Sequence, residues 1–349
     1  MSALAVDERT GDVVRLRALE LPALLTGGRE PDDPVPEQSE RLVRRVAAVG
    51  STAPRHPRLL QGAGAFVEGD LLWTVEERPA GVPLAELVAA GPVPPYRAAE
   101  LAADLVGALR ALHEAGLAHG NLTTESVLVC EDGAALLGGL LSGTAQEALA
   151  EELGGPGGRR RYEVRATLAG PVAERWPLDG GPAGDCWALG VLLHRLVTGR
   201  SPYPENGVPE LVTAVRDGRR EPSAACGPLG PLVERLLQPD PGLRPTAVEI
   251  RGELAALLAA APEPVGEERA ARVLEPRAAG PVVPAPRRRR PGGRAAAKSE
   301  RLPAERPAAD GPGPERRPLI PPALLGPVLV GGVFLLLVLG VVAVVLFAG

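Results

Sequence analysis

Few residues of this chain have the types and spacing that chemistry asks for. Cys130, Cys186 and Cys226 are its three thiols, but zinc ligands come in close pairs and a disulfide framework needs a denser set. Their scatter points to reduced cysteines in a cytosolic main domain. Lys298 is the only lysine among 38 basic side chains, so any step that needs an amine elsewhere is excluded and arginine must supply the positive charge. Gly62-Ala63-Gly64 starts a phosphate-cradling pattern, yet Val67 stands where the third glycine of G-x-G-x-x-G belongs. A strand of small residues is the simpler reading. Leu153-Gly154-Gly155-Pro156-Gly157-Gly158 reads as a flexible surface loop.

Elements must hold these groups. With 349 residues, 45% hydrophobic and 23% charged, the chain has enough apolar surface for a packed core, and wholesale disorder is excluded. Its 43 Gly and 39 Pro exceed the average share and predict a long irregular segment. GDVVRLRAL reads as a strand, and AFVEGDLLWTVEE as a hairpin turning at Glu68-Gly69-Asp70. The rest of the body is helical. Leu101, Leu105, Leu109 and Leu112 recur at helical spacing, and Gly116 stops that helix. DCWALGVLLHRLVTG reads as a buried helix with Asp185 as its N-cap and Gly199 at its end. Thr246 and Glu249 make a capping box for the last helix.

The tail is of another kind. From Val328 to Ala348 no residue is charged. At about 1.5 Å per residue this run spans the ~30 Å hydrocarbon layer, which predicts a transmembrane helix over 328–348 within an anchor at 319–349. Arg316 and Arg317 flank it, and positive charge stays on the cytoplasmic side. The body is therefore expected in the cytosol, on a single-pass C-terminal anchor in the cytoplasmic membrane. Residues 263–318, rich in Pro, Ala, Arg and Gly without apolar periodicity, read as a disordered linker. That linker is net basic while the chain carries −5 overall, which leaves an acidic body for which no nucleic-acid partner is expected. Arg287–Arg290 is placed to attract anionic lipid; a solvated linker that only sets topology is the plainer alternative. MSALAVDERT has neither a basic n-region nor an apolar h-region, so no signal peptide is expected.

RHPRLL (55–60), LLWTVEE (71–77), ALHEAGLAHGNLTTESVLV (111–129), DCWALGVLLHRLVTGRSPYP (185–204) and DPGLRPTAVEI (240–250) resemble, in order and spacing, bacterial Ser/Thr protein kinases of the eukaryotic-like type. The likeness covers nearly all of residues 7–260. It implies an α+β, bilobal protein-kinase-like fold over residues 1–262, with a small, truncated β-rich N-lobe and a larger α-helical C-lobe. It also implies structural roles. Asp185 stands where the family's buried-helix aspartate holds the catalytic loop, and His119 opens the H-R-D loop. Glu174 matches the Glu of A-P-E, and Arg244 its usual salt-bridge partner.

The same resemblance places the transfer apparatus on residues that lack its chemistry. Phosphoryl transfer in this family takes a base, metal ligands, a lysine and a glycine-rich loop. Asn121 stands at the catalytic Asp position, where a neutral amide is no base, and Thr123 at the loop Lys position. Ser126 and Gly139 fall at the Mg²⁺-ligand positions, since D-F-G lands on Gly139-Leu140-Leu141. Arg17 takes the ATP Lys position and about Arg45 its helix glutamate, so two like charges replace an ion pair. Glu76 is the gatekeeper and Glu77 lies in the hinge, a pair that a one-residue register shift would swap. DERTGDVV resembles the turn after the glycine-rich loop, so Met1 falls inside the family's second strand.

Together these departures point to a pseudokinase. No catalytic, cofactor-binding or metal site is expected. The function read here is a membrane-tethered binding, scaffold or regulatory module in signalling, with cytosolic or membrane proteins as partners. One alternative is a Ser/Thr protein kinase or ATP-binding protein with a non-standard site, including weak ATP or ADP binding through hinge backbone groups. Another is a small-molecule phosphotransferase, since H-G-N-L resembles the H-G-D-L loop of aminoglycoside-type enzymes.

Overall fold

Period-2 alternation shapes the first sheet. β1 (Ser2–Val6) and β2 (Val13–Glu20) form an antiparallel hairpin. α1 (Glu37–Thr52) follows, and β3 (Gly62–Glu68) and β4 (Leu71–Glu77) return as a second hairpin. The strand order is β1-β2-β4-β3. Along β4, alternation buries Leu72, Thr74 and Glu76 and leaves Glu77 exposed. The register sets Arg15 opposite Glu76 and Arg17 opposite Thr74. Since cross-strand partners share a face, four polar or charged side chains line the inner surface of this sheet. The computed structural model describes residues 2–8, 10–22, 25, 36–155, 159–176 and 180–261.

The helical part begins with β5 (Val82–Pro83), α2 (Leu84–Ala90) and α3 (Pro95–Glu114). β6 (Val127–Val129) and β7 (Ala135–Leu137) join β5 in a small sheet ordered β5-β6-β7. Then come α4 (Leu140–Gly154), α5 (Arg159–Ala169), α6 (Gly181–Thr198), α7 (Val208–Arg216), α8 (Gly230–Leu236) and α9 (Ala247–Ala259). Leu101, Leu105, Leu109 and Leu112 of α3 are all buried at the centre of the larger core. α6 is buried without a break from Asp185 to Leu193. Its Gly190 lets α8 approach: a Cβ there would meet the Leu236 Cβ at 2.7 Å. α9 starts in a complete Thr246–Glu249 capping box.

Two local expectations are corrected. Asp185 is no N-cap, because α6 starts at Gly181 with Pro182 in its first turn, where a missing N–H does no harm. That leaves the Asp185 carboxylate available elsewhere. Leu153 and Gly154, read as loop, close α4. The helix forms because Leu141, Ala145, Ala148 and Leu149 share one face and pack with Leu42 and Val46 of α1 and Leu72 of β4 in a second core. Burying each leucine contributes roughly 1.5–3 kcal/mol, enough to outweigh the glycine-rich end. Pro156, Gly157 and Gly158, the linker and the 328–348 span lie outside the described residues. Among the described residues no helix is long and apolar enough to cross a membrane.

Candidate functional site

The floor of the cleft between the two sheets is a loop held by one buried carboxylate. Asp185, 1% exposed, accepts hydrogen bonds from the backbone N–H groups of His119 (2.8 Å, Oδ2) and Gly120 (2.8 Å, Oδ1). Its Oδ2 also lies 2.9 Å from His113 Nε2. His119 Nε2 faces the Gly138 carbonyl at 3.0 Å. A carbonyl only accepts, so Nε2 carries the proton, and Nδ1 is left to accept from the Asn121 N–H at 3.3 Å. Burial pushes the His119 pKa down, against the opposing pull of Asp185, which keeps the ring in this neutral form.

The loop's own side chains are turned to internal bonds. Asn121 Nδ2 donates to the Gly139 carbonyl at 3.3 Å, and its Oδ1 accepts from Arg175 Nη2 at 3.2 Å. Ser126 Oγ accepts from the Thr123 N–H and donates to the Thr123 carbonyl, both at 2.9 Å. Gly139 takes a left-handed conformation (φ +84°) just before α4. A Cβ at that position would meet Asn121 Nδ2 at 2.9 Å.

The roof closes over this floor with charge. Glu76, 6% exposed, accepts from the Gly139 N–H at 2.5 Å and from Arg17 Nε at 3.3 Å. Arg15 Nη1 stands 3.9 Å from the same carboxylate. Arg17 continues across the cleft and donates from Nη2 to the Glu125 carbonyl at 2.7 Å. A carboxylate at the N-terminal end of α4 also complements the helix dipole. Burial, then neighbouring Arg17, lowers the Arg15 pKa, and the Glu76 carboxylate opposes both.

An ATP–Mg²⁺ complex, implied by the resemblance, does not fit these residues. Mg²⁺ asks for carboxylate oxygens in near-octahedral geometry, while the two ligand positions offer a glycine and a hydroxyl bonded within its own loop. Among the described residues no group of three His, Cys, Asp or Glu is placed to hold a metal. On the adenine side, Arg15 and Glu76 fill the inner face of the sheet. The hinge residue Glu77 has its N–H on the Gln61 carbonyl at 3.1 Å and its carboxylate on the Gln61 N–H at 3.2 Å.

The structure gathers Arg17, Glu76, His119, Asn121, Thr123, Ser126, Gly139 and Asp185 around one cleft, keeps the expected order of Glu76 and Glu77, and corrects two pairings. Arg17 and Arg45 are not a facing pair of like charges: Arg17 binds Glu76, and Arg45 forms an ion pair with Glu151 of α4. Glu76 and Glu77 sit in the register with Glu76 inward. Glu174, in a single 3₁₀ turn over Ala173–Arg175, is forked by Arg195 at 2.8 and 3.1 Å, where Arg244 was expected. Arg244 donates to the carbonyls of Gln238, Ala183 and Pro239 and stacks over Trp187 at 5.1 Å. Sequence reasoning missed Arg15, though its alternation with Arg17 placed both on one face. Arg175 and Arg195 carried no signal.

Comparison with known proteins agrees with this layout. The family profile of the protein kinase domain matches residues 32–253. The Ser/Thr-protein kinase PkaA of Streptomyces coelicolor is 32% identical over 197 residues, covering 55% of this chain and 35% of that protein. The Ser/Thr-protein kinase PAK 4 of Mus musculus is 27% identical over 205 residues, 56% of this chain and 32% of its own. CBL-interacting protein kinase 25 of Oryza sativa is 28% identical over 254 residues, 69% of this chain and 45% of its own. The chain thus spans from about a third to under half of the length of these relatives.

Proposed function

The chain belongs to the protein kinase family, and from that premise we propose that it binds partners rather than transferring phosphate: a kinase-fold module tethered at the cytoplasmic face of a membrane. The observation that carries this reading is the Arg15–Glu76–Arg17 network inside the cleft, joined to Gly139 on the floor. The neutral amide at Asn121 supports it, because a general base must accept a proton. Losing a base and a metal ligand at a few kcal/mol each removes several decades of rate, at tenfold per about 1.4 kcal/mol. The tether rests on the uncharged run at 328–348 and its arginine flank.

A second reading, Ser/Thr phosphotransfer through a non-standard site, is favoured by the family match and by the names of the relatives. Calorimetric titration of the full chain in detergent with ATP and ADP, with and without Mg²⁺, separates the two. The binding-module reading expects no heat up to millimolar nucleotide. Micromolar nucleotide binding, followed by transfer to a protein substrate, would establish the second. Membrane fractionation of the full chain against a chain cut after Pro318 tests the tether.

A further inference from the structure

Beyond Glu76 the cleft opens toward the helical lobe into a cavity of about 330 Å³, lined by Arg17, Thr74, Asn121, Ser142, Gln146 and Arg175 among others. Two guanidinium groups face it. Arg175 Nη2 holds Asn121, while its Nε is buried without a hydrogen-bond partner. The carboxylate next to it in sequence, Glu174, is forked by Arg195. Glu125, the acidic residue of the cavity lining, is exposed at the rim. Burial lowers the Arg175 pKa and the charge of Arg17 lowers it further, with Glu174 opposing.

A cation buried without a counter-charge is unfavourable, because desolvation is not offset by Coulomb attraction. An anion in the cavity would supply that attraction to Arg175 and, beside it, to Arg17, whose Glu76 partner is shared with Arg15. Guanidinium forks match phosphate oxygens in geometry, and a phosphate monoester carries about −1.5 to −2 at neutral pH, which balances two cations better than a carboxylate does. Thr74 and Ser142, joined at 3.0 Å, add neutral hydroxyl donors. We propose that this cavity binds the dianion of a phosphate monoester between Arg17 and Arg175, without a nucleotide. The proposal rests on the reading that Arg15 and Glu76 close the adenine side. It places the ligand on the helical-lobe side, where a small ester, or one carried on a phosphorylated side chain, can enter.

The test is calorimetry of the full chain in detergent at low salt, with inorganic phosphate, O-phosphoserine, a phosphoserine peptide and ATP. Phosphate and O-phosphoserine are expected to bind at least about tenfold more tightly than ATP. If the ester comes on a protein, the peptide binds more tightly than O-phosphoserine; if it is a free metabolite, it does not. Arg175→Gln should weaken phosphate binding by about tenfold or more. Gln146→Glu serves as the second variant because it leaves the Arg175–Asn121 bond in place. Its carboxylate should abolish phosphate binding and raise the melting temperature by neutralising Arg175. No heat from phosphate or O-phosphoserine at about 10 mM with folded protein, or unchanged binding in Gln146→Glu, would overturn the proposal. Micromolar ATP binding would instead overturn the closed-cleft reading, so the two failures are distinct.

Discussion

The floor and the roof of the cleft are built on opposite principles. The floor is a backbone loop suspended from one carboxylate: Asp185 reaches out of the second turn of α6 to two successive amide groups, and His119 ties the loop to β7's end. Such an arrangement positions main chain and tolerates any side chain that points away from it. The roof is a set of side chains that partly neutralise one another across the cleft, two arginines on one glutamate. A kinase-fold floor thus lies beneath a roof whose charges are turned inward on one another.

Cutting each side separately tests that contrast. Asp185→Ala should have the largest effect, about 3–5 kcal/mol of stability, because it leaves the buried His119 N–H, the Gly120 N–H and the His113 ring without their acceptor; the midpoint of chemical denaturation reads it. Glu76→Ala should cost about 3 kcal/mol, since it strands two partly buried cations and the Gly139 N–H. Replacing Arg15, Glu76 and Arg17 together by leucine should return stability to within about 1 kcal/mol of the parent, as buried ion networks often exchange for apolar packing at little loss. A triple variant as unstable as Glu76→Ala would make the roof a source of stability in its own right.

Acid sharpens the comparison next. His56, His119 and His194 all have pKa values lowered from 6.5, in each case mainly by burial. The unfolded chain takes up these protons at about pH 6.5 and the folded chain only at lower pH. Stability is therefore complete above about pH 6.5 and declines as pH falls through the folded values, by up to about 1.4 kcal/mol per pH unit for each proton. A denaturation midpoint that is flat or rising from pH 7 to 5 would contradict this. The smallest effect belongs to the half-exposed Arg45–Glu151 pair, where Arg45→Ala should cost about 0.5 kcal/mol and lose that contribution in high salt.

Much of the fold was legible. The heptad-like leucines of α3 and the capping box of α9 act within one or two turns, where spacing alone sets the outcome. The hairpin of β3 and β4 was equally local. What escaped notice depends on neighbours remote in the chain. α4 is a helix because β4 and α1 offer its apolar face a place to bury, and its glycine-rich end signals only a loop. Asp185 looked like an N-cap because Gly-Pro one turn earlier was not taken as the start of α6. Glu174 found Arg195, not Arg244, since the fork is set by how α6 passes the 3₁₀ turn at Ala173–Arg175.

The sequence by itself determined which chemical groups are on hand: an amide at Asn121, a hydroxyl at Ser126, no side chain at Gly139, and arginine in place of lysine at Arg17. Those are properties of single residues, so no fold was needed to know them. Only the tertiary structure decided where the charges go. Arg15 and Arg17 meet Glu76, which lies about 60 residues away in the chain, and Arg175 meets Asn121 across 54 positions. Coulomb and hydrogen-bond energies depend on distance and burial, and both are set when the sheet and the helical lobe close on each other.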